Sequence, residues 1–350
     1  MFSAFRRKIA LASPIVSGSR SRRLFSTQLH NIANPPRILV TGAVGQIGSE
    51  LVPFLRKRYG VNNVIASDVS EIHSSSAEGP YVQADIMKFD KLDEVIQKHD
   101  INFVIHLACV LSAIGEQIPV LALKVNTRGI ENILELARIN KLRVYAPSSI
   151  AIYGPTTPKD ETPQECVARP TTIYGITKVY TELIGEYYHQ RFGVDFRSLR
   201  YPGIISSEAQ PGGGTTDYAV EIYHEAIANK KYTCFLKEDT KMPMMYMPDT
   251  LRGTIQLIEA PEETLTQRSY NLTGMSFTPA EMAKEIQKEI PEFQIDYSPD
   301  FRQAIAESWP RSIDDSVARR DWNWKPEFNL SSMTKHIISR LREKKNLPST

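Results

Sequence analysis

The segment Arg37-Ile38-Leu39-Val40-Thr41-Gly42-Ala43-Val44-Gly45-Gln46-Ile47-Gly48 joins an apolar run to three glycines spaced three apart, and Asp68 follows twenty residues later. Ile38, Leu39 and Val40 predict a buried strand. The glycines predict a tight turn into a helix that begins near Gln46. Gly42 permits the turn, Gly45 lets the backbone approach a pyrophosphate, and Gly48 lets helix and strand pack closely. The N-terminus of such a helix offers free N–H groups and a partial positive charge. Glycines mark turns in any fold, so the triplet alone is weak. Here it follows a strand, opens a helix, and has an acid at the end of the next predicted strand, 63–67. That context predicts a dinucleotide-binding unit.

Outward from this segment the chain alternates strand and helix. Strands are predicted at 63–67, 81–83, 103–107, 143–147 and 195–200, and helices at 46–59, 92–99, 120–140 and 174–191. Such alternation implies an α/β fold, a parallel sheet with helices on both faces, and ligands at the carboxyl ends of its strands. Pro53 falls inside the first helix and is expected to kink it. Beyond about Ile205 the pattern loosens. A loop at Pro211-Gly212-Gly213-Gly214 precedes helices predicted at 217–228, 248–258, 279–290 and 331–344, with a short strand at 233–236. Residues 37–205 are therefore expected to bind the nucleotide and carry the chemistry. Residues 206–345 are expected to form mainly a smaller substrate lobe, with room for the chain to cross back.

The formal net charge of +2 hides an asymmetry. Residues 1–34 hold Arg6, Arg7, Lys8, Arg20, Arg22 and Arg23 and no acid, with Phe2, Phe5, Ile9 and Leu11 able to form one apolar helix face. This is the composition of a mitochondrial transit peptide, with a matrix-peptidase-like site at Arg23-Leu24-Phe25-Ser26. A disordered basic tail is the plainer alternative. Removing residues 1–25 takes the charge from +2 to −4, which argues against nucleic acid as a partner. No apolar run approaches the ~20 residues of a membrane span. Cys109, Cys166 and Cys234 are too scattered for a disulfide framework or a metal cluster.

A second feature is Tyr174-Gly175-Ile176-Thr177-Lys178. Tyrosine and lysine four apart share a helix face. A phenol is a poor base at neutral pH, and a nearby ammonium is expected to favour the phenolate. In isolation a surface Tyr/Lys pair is the plainer reading. Ser149, twenty-five residues earlier, ends a predicted strand at the ligand edge, where its hydroxyl can hold a substrate oxygen. Its neighbour Ser148 can instead simply satisfy the strand end.

With His106-Leu107-Ala108, Ser148-Ser149-x-x-x-Tyr153-Gly154 and Arg200-Tyr201-Pro202-Gly203 added, the series resembles the extended short-chain dehydrogenase/reductase family over about residues 37–345. That resemblance implies a Rossmann-type doubly wound sheet with a smaller C-terminal α/β lobe. It implies Tyr174 as general base, with Lys178 and Ser149 as its partners. The cofactor contacts it implies are Gly42, Gly45, Gln46, Ile47, Gly48, Asp68, Asp85, Ile86, Leu107, Ala108, Tyr174, Lys178, Tyr201, Pro202 and Ile204. Asn126 would be a structural residue close by. Asp68 can accept hydrogen bonds from ribose hydroxyls and repels a 2′-phosphate; no arginine follows it directly, so NAD is favoured over NADP.

Within the family, the stretches around 106–113, 200–219 and 308–322 resemble the short-chain type of L-threonine 3-dehydrogenase. The reaction this implies is oxidation of L-threonine at its hydroxyl-bearing carbon, giving 2-amino-3-oxobutanoate. A 2-amino-3-oxobutanoate CoA ligase would consume that product, in the mitochondrial matrix. Ser112, Ser149, Tyr174, Gly214, Thr215, Thr216 and Trp309 would bind the substrate, the glycine-rich loop offering N–H groups to its carboxylate. That loop can instead be a flexible connector, and Trp309 can equally be core packing. Asp314, Asp315 and Arg319 read as a structural ion-pair network. Arg311, Arg319 and Arg320 keep open a nucleotide-sugar epimerase or dehydratase, whose diphosphate needs cations. A catalytically silent scaffold would typically lack the Tyr/Lys pair. No metal is expected, and a homodimer through helices 120–140 and 174–191 is implied.

Overall fold

The computed structural model describes residues 35–71, 78–209 and 212–345. The predicted transit peptide, residues 1–25, lies outside the described residues. At the centre is a fully parallel sheet. Its strands are β1 (Ile38–Thr41), β2 (Val64–Asp68), β3 (Tyr81–Gln83), β4 (Phe103–His106), β5 (Arg143–Tyr145), β6 (Ser148–Ser149), β7 (Phe196–Tyr201) and, after an intervening β8 (Gly203–Ile205), β9 (Lys231–Cys234) and β10 (Met242–Tyr246), the late strand β11 (Ser269–Asn271). The order across the sheet is β11-β7-β5-β4-β1-β2-β3, with β6 also on β7. Strand order reverses between β1 and β4, the topological switch point where doubly wound sheets bind ligands.

The first seven helices are α1 (Gln46–Tyr59), α2 (Phe89–Lys98), α3 (Ser112–Gln117), α4 (Pro119–Asn140), α5 (Ile173–Phe192), α6 (Tyr218–Ala228) and α7 (Met247–Glu259). They follow the sequence closely except for the short α3, which was not predicted. Ile38, Leu39 and Val40 are fully buried, as expected of a strand covered on both faces. Burying each such side chain stabilises the fold by roughly 1.5–3 kcal/mol. Helix α1 runs through Pro53 without interruption. Proline sits on its exposed side, where the lost hydrogen bond is least costly.

The strand predicted at 143–147 is split. Ala146 still donates to Arg197 O (3.1 Å), but Pro147 has no N–H to give, and pairing resumes at β6. The strand predicted at 233–236 lies two residues earlier, where β9 pairs in parallel with β13 (Gln294–Tyr297). A further small sheet, ordered β12-β10-β8, uses β12 (Met275–Phe277). Helices α8 (Pro279–Glu289), α9 (Arg302–Ser308), α10 (Ser316–Trp322) and α11 (Leu330–Lys344) complete the chain. Helix α6 packs on β9, α8 and α11 rather than on the large sheet. Strand β11 carries the chain back to the edge of the large sheet, parallel to β7.

Candidate active site

The loop after β1 is built by close approach. Gly42 has φ +71°, and a Cβ on it would lie 2.6 Å from Ala108 N. A Cβ on Gly48 would lie 2.3 Å from Gly42 O. The turn therefore packs against the end of β4 and against its own helix, and only glycine fits at either position. Helix α1 has Gly45 at its N-cap, no side-chain cap, and no acid in its first turn. Its N-terminal N–H groups face the cavity without a competing carboxylate, an arrangement suited to phosphate. Gln46 Nε2 reaches across to Ile204 O at 3.5 Å.

The cavity, about 560 Å³, opens at the carboxyl ends of β1, β2 and β4. Every residue singled out from the sequence as a cofactor, substrate or catalytic contact lines it. Asp68 ends β2, and its carboxylate accepts from Val44 N (3.2 Å) and Ser70 N (3.3 Å). Asp85 Oδ1 accepts from Met87 N, and Ile86 O accepts from Asn132 of α4. Asn126 holds both the N–H and the carbonyl of Val110 and also donates to Thr177 Oγ1. It thereby ties the cavity wall after β4 to α5, a structural part. Tyr201 presents its ring only. Its hydroxyl is turned into the core, accepting from Tyr145 at 2.6 Å and bonded to Thr254.

The groups expected to do chemistry converge at one end. Lys178 is buried and donates to Pro147 O at 2.7 Å, with its ammonium 5.5 Å from the Tyr174 ring centroid. Burial raises the Tyr174 phenol well above its ordinary value, Cys109 pushes the same way, and the Ser149 hydroxyl opposes both. The Lys178 ammonium is engaged by a carbonyl rather than by the phenol oxygen. His106 lies beneath, bonded to Thr41 Oγ1 at 2.8 Å. Burial, aided by the Lys178 charge, lowers it to about 3, so it is neutral.

The far wall also departs from expectation. The N–H groups of Gly213 and Gly214, offered by sequence to a substrate carboxylate, both go to Asp217 Oδ2 at 2.8 and 2.9 Å. The loop is held by its own acid. Burial raises that carboxyl, and the two N–H bonds oppose the shift. Ser112 Oγ bonds Thr215 Oγ1 (3.1 Å) across the pocket and accepts from Thr215 N (3.4 Å). Trp309 lines the cavity and also belongs to a buried apolar cluster with Tyr153 and Ile313. Sequence reasoning left Ser148 to satisfy the strand end. Its hydroxyl is buried at the cavity edge without a hydrogen-bond partner, and its N–H donates to Ser198. An orphaned buried hydroxyl is costly unless something fills its bonding capacity, so it marks the site as built for a polar ligand. The only hint in the sequence was its adjacency to Ser149.

Arg311, Arg319 and Arg320 do not line the cavity; each is bound to an aspartate, Asp160, Asp315 and Asp321 respectively. Asp315 also accepts from Trp324 Nε1, so Asp315 and Arg319 are structural, whereas Asp314 accepts from Ser316 N and joins no ion pair among the described residues. Among the described residues Lys178 is the single cation on the cavity wall.

Residues 38–273 match the NAD dependent epimerase/dehydratase family. The chain belongs to this family. Its cofactor is NAD, and the glycine turn, the uncapped helix start and Asp68 fit that dinucleotide. Among curated members, the mitochondrial L-threonine 3-dehydrogenase of Bos taurus is 48% identical over 309 residues, 88% of this chain and 83% of the other. The crystal structure of L-threonine dehydrogenase from Phytophthora infestans is 56% identical, with a TM-score of 0.86, over 88% of this chain and 99% of that one. The holo GalE-like L-threonine dehydrogenase of Cupriavidus necator is 52% identical, with a TM-score of 0.86, over 87% and 100%.

Proposed function

We propose that this family member is an NAD-dependent L-threonine 3-dehydrogenase. The observation that carries the reading is a compact pocket, lined by hydroxyls and free of arginine, beside Tyr174 and at the end of the dinucleotide cleft. A nucleotide-sugar needs a cationic groove for its diphosphate. The three arginines that kept that alternative open are paired elsewhere. A small zwitterion is accommodated by Ser112, Ser148, Thr215 and Thr216, with Trp309 over its methyl group. The similarity to threonine dehydrogenases over most of the chain supports the same substrate.

NAD is held at Gly42, Gly45, Gln46, Ile47 and Gly48 by backbone groups, with Asp68 on the ribose hydroxyls and Asp85, Ile86, Leu107, Ala108, Tyr201, Pro202 and Ile204 around it. When bound it supplies the hydride acceptor. Tyr174, once deprotonated, takes the hydroxyl proton of threonine. Ser149 donates a hydrogen bond to the same oxygen, and Lys178 supplies positive charge that favours the phenolate. The product is 2-amino-3-oxobutanoate, consumed by a coenzyme A-dependent ligase. The protein acts in the mitochondrial matrix after loss of residues 1–25. It acts as a homodimer whose contact is α4 and α5, where Val120, Leu121 and Leu183 are exposed although apolar.

The test is NADH formation at the cofactor's own absorbance from purified protein, NAD and L-threonine. Threonine-dependent NADH is the expected result. NAD binding without threonine-dependent NADH would sink the reading. Asp68→Ala provides a second check. Loss of a charged acceptor for the ribose raises the KM for NAD by about tenfold or more and narrows the preference over NADP. An unchanged NAD/NADP ratio would remove Asp68 from cofactor selection.

A further inference from the structure

Lys159 is outside the cavity, yet it grips both sides of Trp309. Its ammonium donates to Glu307 O (3.1 Å), Ser308 O (2.7 Å) and Trp309 O (3.1 Å). Those three bonds use all three donors of a lysine. The carbonyls belong to the end of α9, where no intrahelical N–H is left for them and a cation is favoured. The main-chain carbonyl of Lys159 accepts from Arg311 N (2.7 Å) and Ser312 N (3.2 Å). Between them lies Pro310, which has no N–H to anchor itself. One residue thus holds the turn before the tryptophan with its side chain and the turn after it with its backbone. The neighbouring side-chain pairs, Asp160 with Arg311 and Glu161 with Ser312, are exposed and contribute little by comparison.

We propose that Lys159 is a positioning residue for substrate selection: its ammonium clasps the 307–309 turn and so sets the Trp309 ring against the pocket lined by Ser112, Thr215 and Thr216. The proposal rests on the threonine reading above for its substrate. Lys159 touches neither cavity nor cofactor cleft, so its influence reaches the reaction only through the tryptophan. Substrate affinity should therefore change while chemistry and cofactor binding do not.

Lys159→Met keeps the aliphatic stem and removes the donors. The KM for L-threonine is expected to rise about 5- to 20-fold, the effect of losing hydrogen bonds from a charged group, with kcat and the KM for NAD nearly unchanged. Lys159→Arg, which retains charged donors, is expected to restore most of the affinity. A second readout is independent of the substrate. The Trp309 contribution to fluorescence, taken as the difference from Trp309→Phe in each background, is expected to shift toward solvent exposure in Lys159→Met. A wild-type KM for threonine in folded Lys159→Met overturns the proposal. So does a parallel loss of kcat and NAD affinity, or failure of both Lys159→Met and Lys159→Gln to fold, since each makes the lysine a general stability element. Should the unaltered protein leave threonine untouched, the functional reading fails, and the fluorescence difference still decides whether Lys159 sets Trp309.

Discussion

Tyr174→Phe lowers kcat for threonine oxidation by about 10²–10⁴-fold, the range for losing a positioned general base. Phenylalanine fills the same volume and removes only the hydroxyl that faces Ser149. NAD affinity, measured by quenching or calorimetry, stays within about twofold, because an interaction lost only in the transition state leaves ground-state binding alone. The pH profile carries a further sign. Burial and Cys109 raise the phenol, and Ser149 opposes them. The working form is the deprotonated one, so kcat/KM climbs with rising pH on the basic side of neutrality. Substantial turnover by Tyr174→Phe with an unchanged profile would place the base elsewhere.

Arg200→Met destabilises the fold by about 3–5 kcal/mol, the cost of stranding one partner of a buried ion pair. Arg200 is mostly buried and donates to both oxygens of Glu182, at 3.0 and 2.8 Å. It also donates to Gln164 O (2.6 Å), Asn271 Oδ1 (3.1 Å) and Tyr153 Oη (3.3 Å). The guanidinium therefore links β7, β11, α5 and the strand-end loop behind Ser149. Methionine fills much of the volume but leaves the Glu182 carboxylate buried without its counter-charge. Denaturant titration checks the magnitude. The double variant Arg200→Met, Glu182→Met is expected to recover part of the loss, since the stranded charge goes with it. Equal stability of Arg200→Met and the unaltered protein would show the pair to be dispensable.

The large sheet was legible because its signals are local. Ile38 to Val40 form a buried strand from composition alone, and α1 occupies the predicted residues 46–59. Three-residue strands such as β11 and β12, and the seven-residue α9 and α10, are too short to show a period. Their place is set by partners far away in the chain, as when β11 finds β7. The Met-rich β10 lacks alternation because all five of its residues are buried.

The sequence by itself determined the doubly wound fold and the nucleotide turn, and its resemblance to a known family supplied most of the residues that meet in one cavity. The fold and the turn depend on spacing along single elements, which backbone geometry fixes. Tertiary structure decided which donors remain free. Only folding brings Asp217 onto the Gly213 and Gly214 amides, Pro147 O onto Lys178, and Asp160 onto Arg311. It leaves the Ser148 hydroxyl without a partner. Hydrogen-bond capacity and desolvation depend on every neighbour in space, and no linear pattern encodes that sum.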